Sequence, residues 1–155
     1  MVQAHPLDQS CSAALLDAVV AGLEAAHVTP EVHRIAAGGG PDAGALSGCE
    51  RLVLVYPTWW GGLPASVLSW ARELVIAGEA LSSVRELVVV TTCGSTSLLN
   101  RIQGEWGKRY LERRLVPLCT SATTLEWLAL YKIDRQPQHQ ITAFIRSVEH
   151  RFATA

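Results

Sequence analysis

Four short runs of apolar residues limit most strongly how this chain can fold. They are EVHRI (31–35), RLVLVYP (51–57), ELVVVTT (86–92) and TLEWLALY (124–131). Each run is rich in β-branched or aromatic residues and is followed by loop residues, which is typical of a β-strand. The third and fourth runs are apolar on both faces, as strands are when helices cover both sides of a parallel sheet.

Segments with helical periodicity lie between and after these runs. From residue 12 to about residue 26, leucines and valines recur every three or four positions, behind serines that are suited to cap a helix. Further helices are predicted after Pro64, near 104–114 and over 138–153. The alternation of strands with helical crossovers predicts an α/β fold with an open, doubly wound parallel sheet.

Two parts of this pattern are short. VQAH (2–5) would be the first strand, and AAGGGPDAGALSG (36–48) is a crossover that is barely long enough, because a parallel connection needs about a dozen residues. The chain has 155 residues, of which 49% are hydrophobic, and this is the size of one ordinary domain. We therefore predict a single domain over 1–155.

The charge of the chain favours neither nucleic acid nor a membrane as a partner. The formal net charge is -1 at pH 7, and basic residues are mostly interspersed with acidic ones. The basic run at 101–114 is interpreted as a solvated helix face, with a phosphate contact as the alternative. No apolar stretch approaches the roughly 18 to 20 residues that span a membrane. The first residues also lack a secretion signal, so we expect a cytoplasmic protein.

The cysteines show no pattern typical of a metal site or a disulfide framework. Neither a CxxC pair nor a metal-ligand spacing with histidine is present, which fits reduced thiols and no metal. Cys93 follows a strand and could be a nucleophile, but a phosphatase-like loop needs an arginine a few residues later, and the first is Arg101. The four cysteines are Cys11, Cys49, Cys93 and Cys119.

Three loops of unusual composition follow predicted strands. They are HPLDQSCS (5–12), PTWWGGLP (57–64) and TTCGSTS (91–97). In open α/β sheets, ligands bind beyond the carboxyl ends of the strands. In the first loop, the Ser10 and Ser12 hydroxyls at a helix N-terminus suit a phosphate, or they only cap the helix. The three loops together predict a ligand site at one edge of the sheet.

The second loop places two tryptophans before two glycines. Adjacent tryptophans are usually buried in a core or an interface, but glycine is what a backbone needs to lie against a flat ring. We therefore interpret Trp59, Trp60 and Gly61 as a surface for a planar ligand. The third loop supplies small polar groups for the edge of such a ring. No GxGxxG follows a strand, and neither a P-loop nor a GxSxG motif is present, which excludes the common dinucleotide, NTPase and serine hydrolase sites.

At these three loops the chain resembles the flavodoxin-like NAD(P)H dehydrogenase (quinone) family, which includes the modulator-of-drug-activity proteins. The matching segments are AHPLDQSCSAALL, YPTWWGGLPASVLSW and VVVTTCGS. The resemblance implies a flavodoxin-like fold with strand order 2-1-3-4-5 and shortened first strand and crossovers. It also implies a bound flavin, FAD or alternatively FMN, with NAD(P)H as co-substrate, a quinone or similar aromatic substrate, and a homodimer.

The resemblance, together with the composition of the loops, assigns cofactor-binding residues position by position. One group would hold the ribityl-phosphate part, a second would lie along the isoalloxazine ring, and a third would line its other edge. The three groups, in this order, are His5, Ser10, Cys11 and Ser12; Pro57, Thr58, Trp59, Trp60 and Gly61; and Thr91, Thr92, Cys93, Gly94 and Ser95.

Two functions follow from this reading. In the first, the protein is a flavin oxidoreductase that passes electrons from NAD(P)H to a quinone-like acceptor, and the flavin carries the chemistry without a side-chain base. In the second, a shortened flavodoxin-like protein without redox turnover binds a small ligand or a partner, or acts as a tailoring isomerase. The shortened crossovers favour the second function.

Overall fold

The computed structural model describes residues 1–4, 10–35 and 39–154. Five parallel strands form one sheet in the order β2-β1-β3-β4-β5, so the predicted doubly wound topology is confirmed. The strands are β1 Val2–Gln3, β2 His33–Arg34, β3 Arg51–Pro57, β4 Glu86–Cys93 and β5 Leu125–Tyr131. The helices are α1 Cys11–Ala25, α2 Ala65–Ala77, α3 Ser97–Ile102, α4 Trp106–Arg114 and α5 Gln138–Ala153, with short 3-10 turns at Val116–Leu118 and Ile133–Arg135.

Side chains that alternate along the central strands build two separate cores. On one face, Leu52, Leu54 and Tyr56 of β3 pack in a cluster with α2 and α4. On the other face, Val53 and Val55 pack in a cluster with α1 and α5. This alternation follows from the two-residue period of a strand. Since both faces are covered, residues 52–56 of β3 are all buried. In β4, residues 87–93 are buried as well, which confirms the prediction that this strand is covered on both faces.

One strand is less buried than expected. In β5 only Leu130 is buried, and the other residues are partly exposed. The strand lies at the edge of the sheet, where one side has no neighbouring strand. The predicted burial on both faces is therefore wrong for β5, although its position and parallel direction are right.

The crossover from β2 to β3 contains no helix between residues 39 and 50. Its anchor is Trp70 of α2, which is 1% exposed and whose indole Nε1 donates a hydrogen bond of 2.8 Å to the Pro41 carbonyl. The structure thus confirms a short crossover and shows that a helix elsewhere in the chain holds it in place.

Charged side chains connect the strands at the amino-terminal edge of the sheet. The Arg151 guanidinium on α5 lies 2.7 Å from carboxylate oxygens of both Glu86 and Glu126, and Arg51 pairs with Glu86. These ion pairs tie β3, β4, β5 and α5 together. In the described ranges, no helix is long and apolar enough to cross a membrane.

Candidate functional site

The carboxyl ends of the strands bring the predicted loops together. β1 lies between β2 and β3, so the crossovers run in opposite directions on its two sides, and ligands bind at such a switch point. The Thr58 amide donates to the Thr92 carbonyl at 2.8 Å, which joins the second and third loops. The Ala4 amide donates to the Val55 carbonyl at 3.0 Å, so the first loop begins beside the second. His5 lies outside the described residues.

The two tryptophans occupy a tight turn at residues 59–62, which we call the Trp turn. The Trp59 amide donates to the Gly62 carbonyl at 3.2 Å, and the Gly62 amide donates to the Trp59 carbonyl at 2.9 Å. Both central residues have positive φ angles, 54° at Trp60 and 73° at Gly61, as in a type I′ turn. The turn leaves Trp60 93% exposed and Trp59 57% exposed, so neither ring is part of the core.

The structure changes the interpretation of the two glycines. Gly61 has a left-handed backbone that the turn requires. A Cβ at Gly62 would overlap the indole of Trp106, which lies directly against it. The flat ring packed against Gly62 is therefore a tryptophan of this chain, and the expectation that both glycines make room for a ligand ring is wrong for Gly62. The assignment of Gly61 to cofactor binding stays a prediction.

Asn100 of α3 holds the third loop in place and lies beside Gly61 of the Trp turn. Its side chain is buried, and Nδ2 donates to Ser95 Oγ at 2.9 Å and to the Thr96 carbonyl at 3.1 Å. The Gly107 amide donates to the Gly61 carbonyl at 3.4 Å, so the start of α4 contacts the same turn. Sequence reasoning missed α3 and Asn100, because a six-residue helix carries too little periodicity to be recognised.

A small cavity lies beneath this edge of the sheet. Three of its lining residues, Thr58, Gly61 and Cys93, belong to the predicted site. The other lining residues come from α3, the start of α4 and β5, which are distant from the predicted loops in sequence, and reasoning from the loops missed them. They are Asn100, Glu105, Lys108, Trp127 and Tyr131.

Backbone strain concentrates around the same edge. Glu105 and Lys132 have φ angles of 43° and 56°, and Trp60 shares this left-handed conformation. Such a conformation costs a residue other than glycine about 1–3 kcal/mol, and it is found mostly at sites that bind or react. Three of the four residues of this kind in the described chain therefore lie around the candidate site.

The threonines of the third loop mostly serve the fold. Thr91 is fully buried, and its Oγ1 donates to the Tyr56 carbonyl at 2.6 Å. Thr58 Oγ1 donates to the Thr92 carbonyl at 2.9 Å. By contrast, the backbone amides of Gly94 and Ser95 donate to no acceptor in the described part of the chain, and neither residue is buried. The groups at this loop that can reach a ligand are therefore backbone donors.

The start of α1 shows how its serines are used. Ser10 is the N-cap, and its Oγ accepts a hydrogen bond of 3.1 Å from the Ala13 amide. Ser12 is buried, while Cys11 is half-buried and burial raises the pKa of its thiol. Capping by Ser10 is thus confirmed. Phosphate binding at this helix N-terminus stays a prediction. The predicted helix after Pro64 is α2, and Pro64 occupies its N-cap without a side-chain hydrogen bond.

Cys93 lies in an environment that keeps its thiol protonated. It is 3% exposed, and burial raises its pKa, while a hydrogen bond with the Thr58 side chain offsets only part of this effect. A thiol needs its thiolate form to act as a nucleophile. The structure therefore supports the interpretation of Cys93 as a packing residue.

This environment predicts slow alkylation of Cys93. At pH 8 we expect iodoacetamide to modify it at least about tenfold more slowly than the same cysteine in the urea-unfolded chain, because a raised pKa leaves little thiolate. The rate should rise as the pH is raised towards the folded-state pKa. Mass spectrometry of the peptide that contains Cys93 measures both rates. Fast modification of the folded protein at pH 6 would instead indicate an activated thiol.

A larger cleft, of about 660 Å³, opens at the opposite edge of the sheet. Several of its charged side chains pair with one another, as Arg51 does with Glu86, and His33 Nε2 lies 3.0 Å from Glu31 Oε1. This cleft lies at the amino-terminal ends of the strands. The carboxyl edge, where the strained turns and the amide donors converge, is therefore the better candidate despite its smaller cavity.

Comparison with solved structures supports the fold over the whole chain. An NAD(P)H:quinone oxidoreductase from Methanothermobacter marburgensis has a TM-score of 0.78 at 19% identity, with 99% of this chain and 94% of that chain covered. An azoreductase from Bacillus anthracis str. Sterne has a TM-score of 0.77 at 15% identity, with 99% and 97% covered. An FMN-dependent NADH-azoreductase from Bacillus anthracis str. Ames Ancestor in complex with FMN has a TM-score of 0.72 at 13% identity, with 99% and 96% covered.

Comparisons by sequence show which family the chain belongs to. No curated protein matches the chain by sequence. The model of the family described as flavodoxin-like fold matches residues 1–116, from β1 through α4. This range includes all three predicted loops. Because the match spans most of the chain and the observed strand order agrees with it, the chain belongs to the flavodoxin-like fold family.

Proposed function

We propose that this protein is a flavin-dependent oxidoreductase that takes electrons from NAD(P)H and passes them to a quinone or a similar flat aromatic acceptor. The observation that carries this proposal is the Trp turn, which presents Trp60 in a strained conformation beside the switch point of the sheet. The similar solved structures named above, a quinone oxidoreductase and two azoreductases, support the same class of reaction.

The groups at the carboxyl edge fit a flavin ring. Such a ring carries carbonyl and nitrogen acceptors along one edge, and protein donors to this edge tune its electronics. The backbone amides of Gly94 and Ser95 donate to no acceptor in the described residues. The backbone amides of Trp60 and Gly61 also donate to none there. The indoles of Trp59 and Trp60 offer apolar surface to the face of a ring. The donor set and the apolar surface thus match the two aspects of the cofactor.

One buried polar atom in the core is left without a hydrogen-bond partner in the described part of the chain. The Tyr56 hydroxyl, near the end of β3, is the only buried side-chain nitrogen or oxygen without a hydrogen-bond partner among the described residues. Burial raises the pKa of Tyr56 well above its ordinary value, so the hydroxyl stays neutral. A buried donor without a partner costs about 1–3 kcal/mol. Such a group in a folded protein calls for an explanation, such as stored strain, a functional role or a bound water.

We propose FMN rather than FAD as the cofactor, because one of the similar structures is an FMN-dependent enzyme in complex with FMN. Bound at this site, a flavin would supply hydride transfer from the nicotinamide and then reduction of the acceptor by two electrons and two protons, the second proton coming from solvent. The protein would bind the ring between the Trp turn and the Gly94–Ser95 amides, orient it and exclude water from one face. Ser10, Cys11 and Ser12 at the start of α1 would hold the phosphate end.

We further propose that the protein is a homodimer. Large apolar side chains are exposed together around the Trp turn and α3, and a monomer rarely leaves such a contiguous patch uncovered. Light scattering at micromolar concentration with flavin bound should give twice the chain mass, and the chain mass alone would contradict this proposal. The exposed residues are Trp59, Trp60, Leu98, Leu99, Ile102 and Trp106. The cytoplasmic location stays a prediction from the sequence.

A second candidate is a binding protein without redox turnover. It is favoured by the crossover between β2 and β3, which has no helix between residues 39 and 50. In this case the same edge would bind a flat ligand or a partner, and no electrons would be transferred.

Cofactor uptake separates the two candidates. We expect the purified protein to bind about one FMN per chain, as its fold and donor set suggest, and to bind FAD more weakly. Adding NADPH or NADH without oxygen should bleach the absorbance of the bound flavin, and a quinone or azo dye should restore it. Fluorescence titration and anaerobic absorbance spectra measure these two steps. A well-folded protein that binds neither FMN nor FAD would overturn the enzyme proposal. Flavin that binds but is not reduced by NAD(P)H would favour the binding protein.

A further inference from the structure

One face of α4 combines aromatic and basic side chains. Trp106, Arg109, Tyr110, Arg113 and Arg114 follow the i, i+3, i+4, i+7, i+8 spacing that places residues on the same side of a helix. With Gln103 and Gly104 they line an open groove of about 480 Å³. The face that packs into the protein is instead formed by Gly107 and Leu111, which are buried. On the groove face, Trp106 also packs against Gly62 and Tyr110 against the core, whereas the three arginines are exposed. The arginines are therefore free of a packing role.

The three arginines of the groove have no acidic partners. Within 4.0 Å of their guanidinium nitrogens, the described chain offers no carboxylate oxygen, although five other basic side chains do form ion pairs. The acids nearest in sequence are engaged elsewhere, because Glu112 pairs with Lys108 and Glu105 lines the small cavity. Favourable interaction with the helix dipole accounts for Arg113 and Arg114 in the last turn of α4, but not for Arg109.

The groove begins where the Trp turn ends. The Trp106 indole covers Gly62 of the Trp turn, and Trp106 also lines the groove. From Trp106 to Arg114 the helix rises by about 12 Å. An extended ligand with one end on the Trp turn could therefore lay its other end along α4. Arginine binds phosphate through paired hydrogen bonds, and nucleobases stack on tryptophan and tyrosine rings.

We propose that this groove binds the adenosine 2′-phosphate end of NADPH and gives the protein a preference for NADPH over NADH. The inference rests on the proposed function for the identity of the co-substrate. Two features of the groove select the ligand: the unpaired guanidiniums match a phosphate monoester, and the aromatic rings at one end match adenine. In Rossmann folds, an arginine near the ribose accommodates a 2′-phosphate, and the same pairing of charges is possible on this helix.

Direct binding tests the groove without any flavin. Isothermal titration of the flavin-free protein with adenosine 2′,5′-bisphosphate should give binding at least about tenfold tighter than with adenosine 5′-monophosphate, because charge-assisted hydrogen bonds to the added phosphate are strong. The triple variant R109Q/R113Q/R114Q should lose about tenfold or more in affinity for the bisphosphate and little for the monophosphate. In the flavin-loaded protein, the ratio of kcat/KM for NADPH to that for NADH should fall by a similar factor.

A charge-matched control excludes a general effect of positive charge. The variant R72Q/R85Q/R146Q removes three arginines from α2, the start of β4 and α5, and should keep bisphosphate affinity within about twofold, as distant surface substitutions do. Equal losses in both triple variants, or equal binding of the two adenosine phosphates, would overturn the groove proposal. If the bisphosphate binds as expected but no flavin does, the groove stands and the proposed function fails. If NADH and NADPH reduce the flavin equally well, the function stands and the groove proposal fails.

Discussion

Replacing Trp60 with asparagine should weaken flavin binding by about tenfold to a hundredfold, because stacking of a ring on an aromatic side chain is worth about 1–3 kcal/mol. We expect the substitution not to lower the stability of the fold. Trp60 has a φ of 54° at the first central position of a type I′ turn and is followed by Gly61. Asparagine followed by glycine is the preferred sequence for such a turn. The substitution therefore separates binding from stability.

The test of Trp60→Asn combines two measurements with one control. Thermal unfolding should give a Tm equal to or above that of the wild type, while fluorescence titration gives a higher Kd for FMN. Ile76→Gln removes another exposed apolar side chain, on α2, and should change neither value. A lower Tm would show that Trp60 supports the fold. An unchanged Kd would mean that Trp60 does not contact the ring.

The same geometry shows why valine at Gly61 is a poor test of the site. With a φ of 73°, a branched residue there would strain the turn whether or not a ligand is present. A Cβ at this position would also lie 3.2 Å from Oδ1 of Asn100, the residue that holds the third loop. Loss of flavin in such a variant would not distinguish a damaged turn from a blocked ring.

Replacing Trp70 with alanine should lower the free energy of unfolding by about 3–5 kcal/mol, the usual cost of truncating a buried tryptophan. Trp70 is 1% exposed within the core of α2 and β3, and its indole is hydrogen-bonded to Pro41. The loss leaves a cavity and releases the crossover between β2 and β3. Urea unfolding followed by circular dichroism measures the change.

Trp70→Phe is the matched control for this prediction. Phenylalanine keeps most of the apolar volume and removes the hydrogen bond of 2.8 Å to the Pro41 carbonyl. We expect a loss of about 1–2 kcal/mol, because a single hydrogen bond contributes about 0.5–1.5 kcal/mol and the smaller ring leaves a little space. If alanine and phenylalanine cost the same, the hydrogen bond rather than packing holds the crossover.

The central strands and the two long flanking helices could be predicted well because their burial requires a continuous pattern. β3 occupies the predicted segment from Arg51 to Pro57 without change, and α5 begins and ends where the periodicity does. β5 kept its predicted position but not its predicted burial, since apolar residues in a strand do not reveal whether another strand lies beside it. α3 was missed because six residues with a Thr96 cap look like a loop.

The candidate site, like the fold, could be predicted only in part. The sequence indicated where ligands bind, because three unusual loops follow strands that must end at one edge of a parallel sheet. It could not show that Asn100 holds the third loop beside Gly61 or that Tyr131 lines the cavity, since such contacts depend on how distant elements pack. It also could not show that Trp106 covers Gly62.

The sequence by itself determined the fold class, the strand order implied by the family resemblance and the edge of the sheet where the loops converge. The fold class and the site edge follow from local patterns of burial, which every residue of a strand or helix repeats. The strand order came only from the resemblance of the loop motifs to a known family. The tertiary structure alone decided which groups face the site: the exposure of Trp60, the unpaired amides of Gly94 and Ser95, and the Trp106 indole against Gly62. These depend on how segments distant in the chain pack together, and no local pattern encodes that packing.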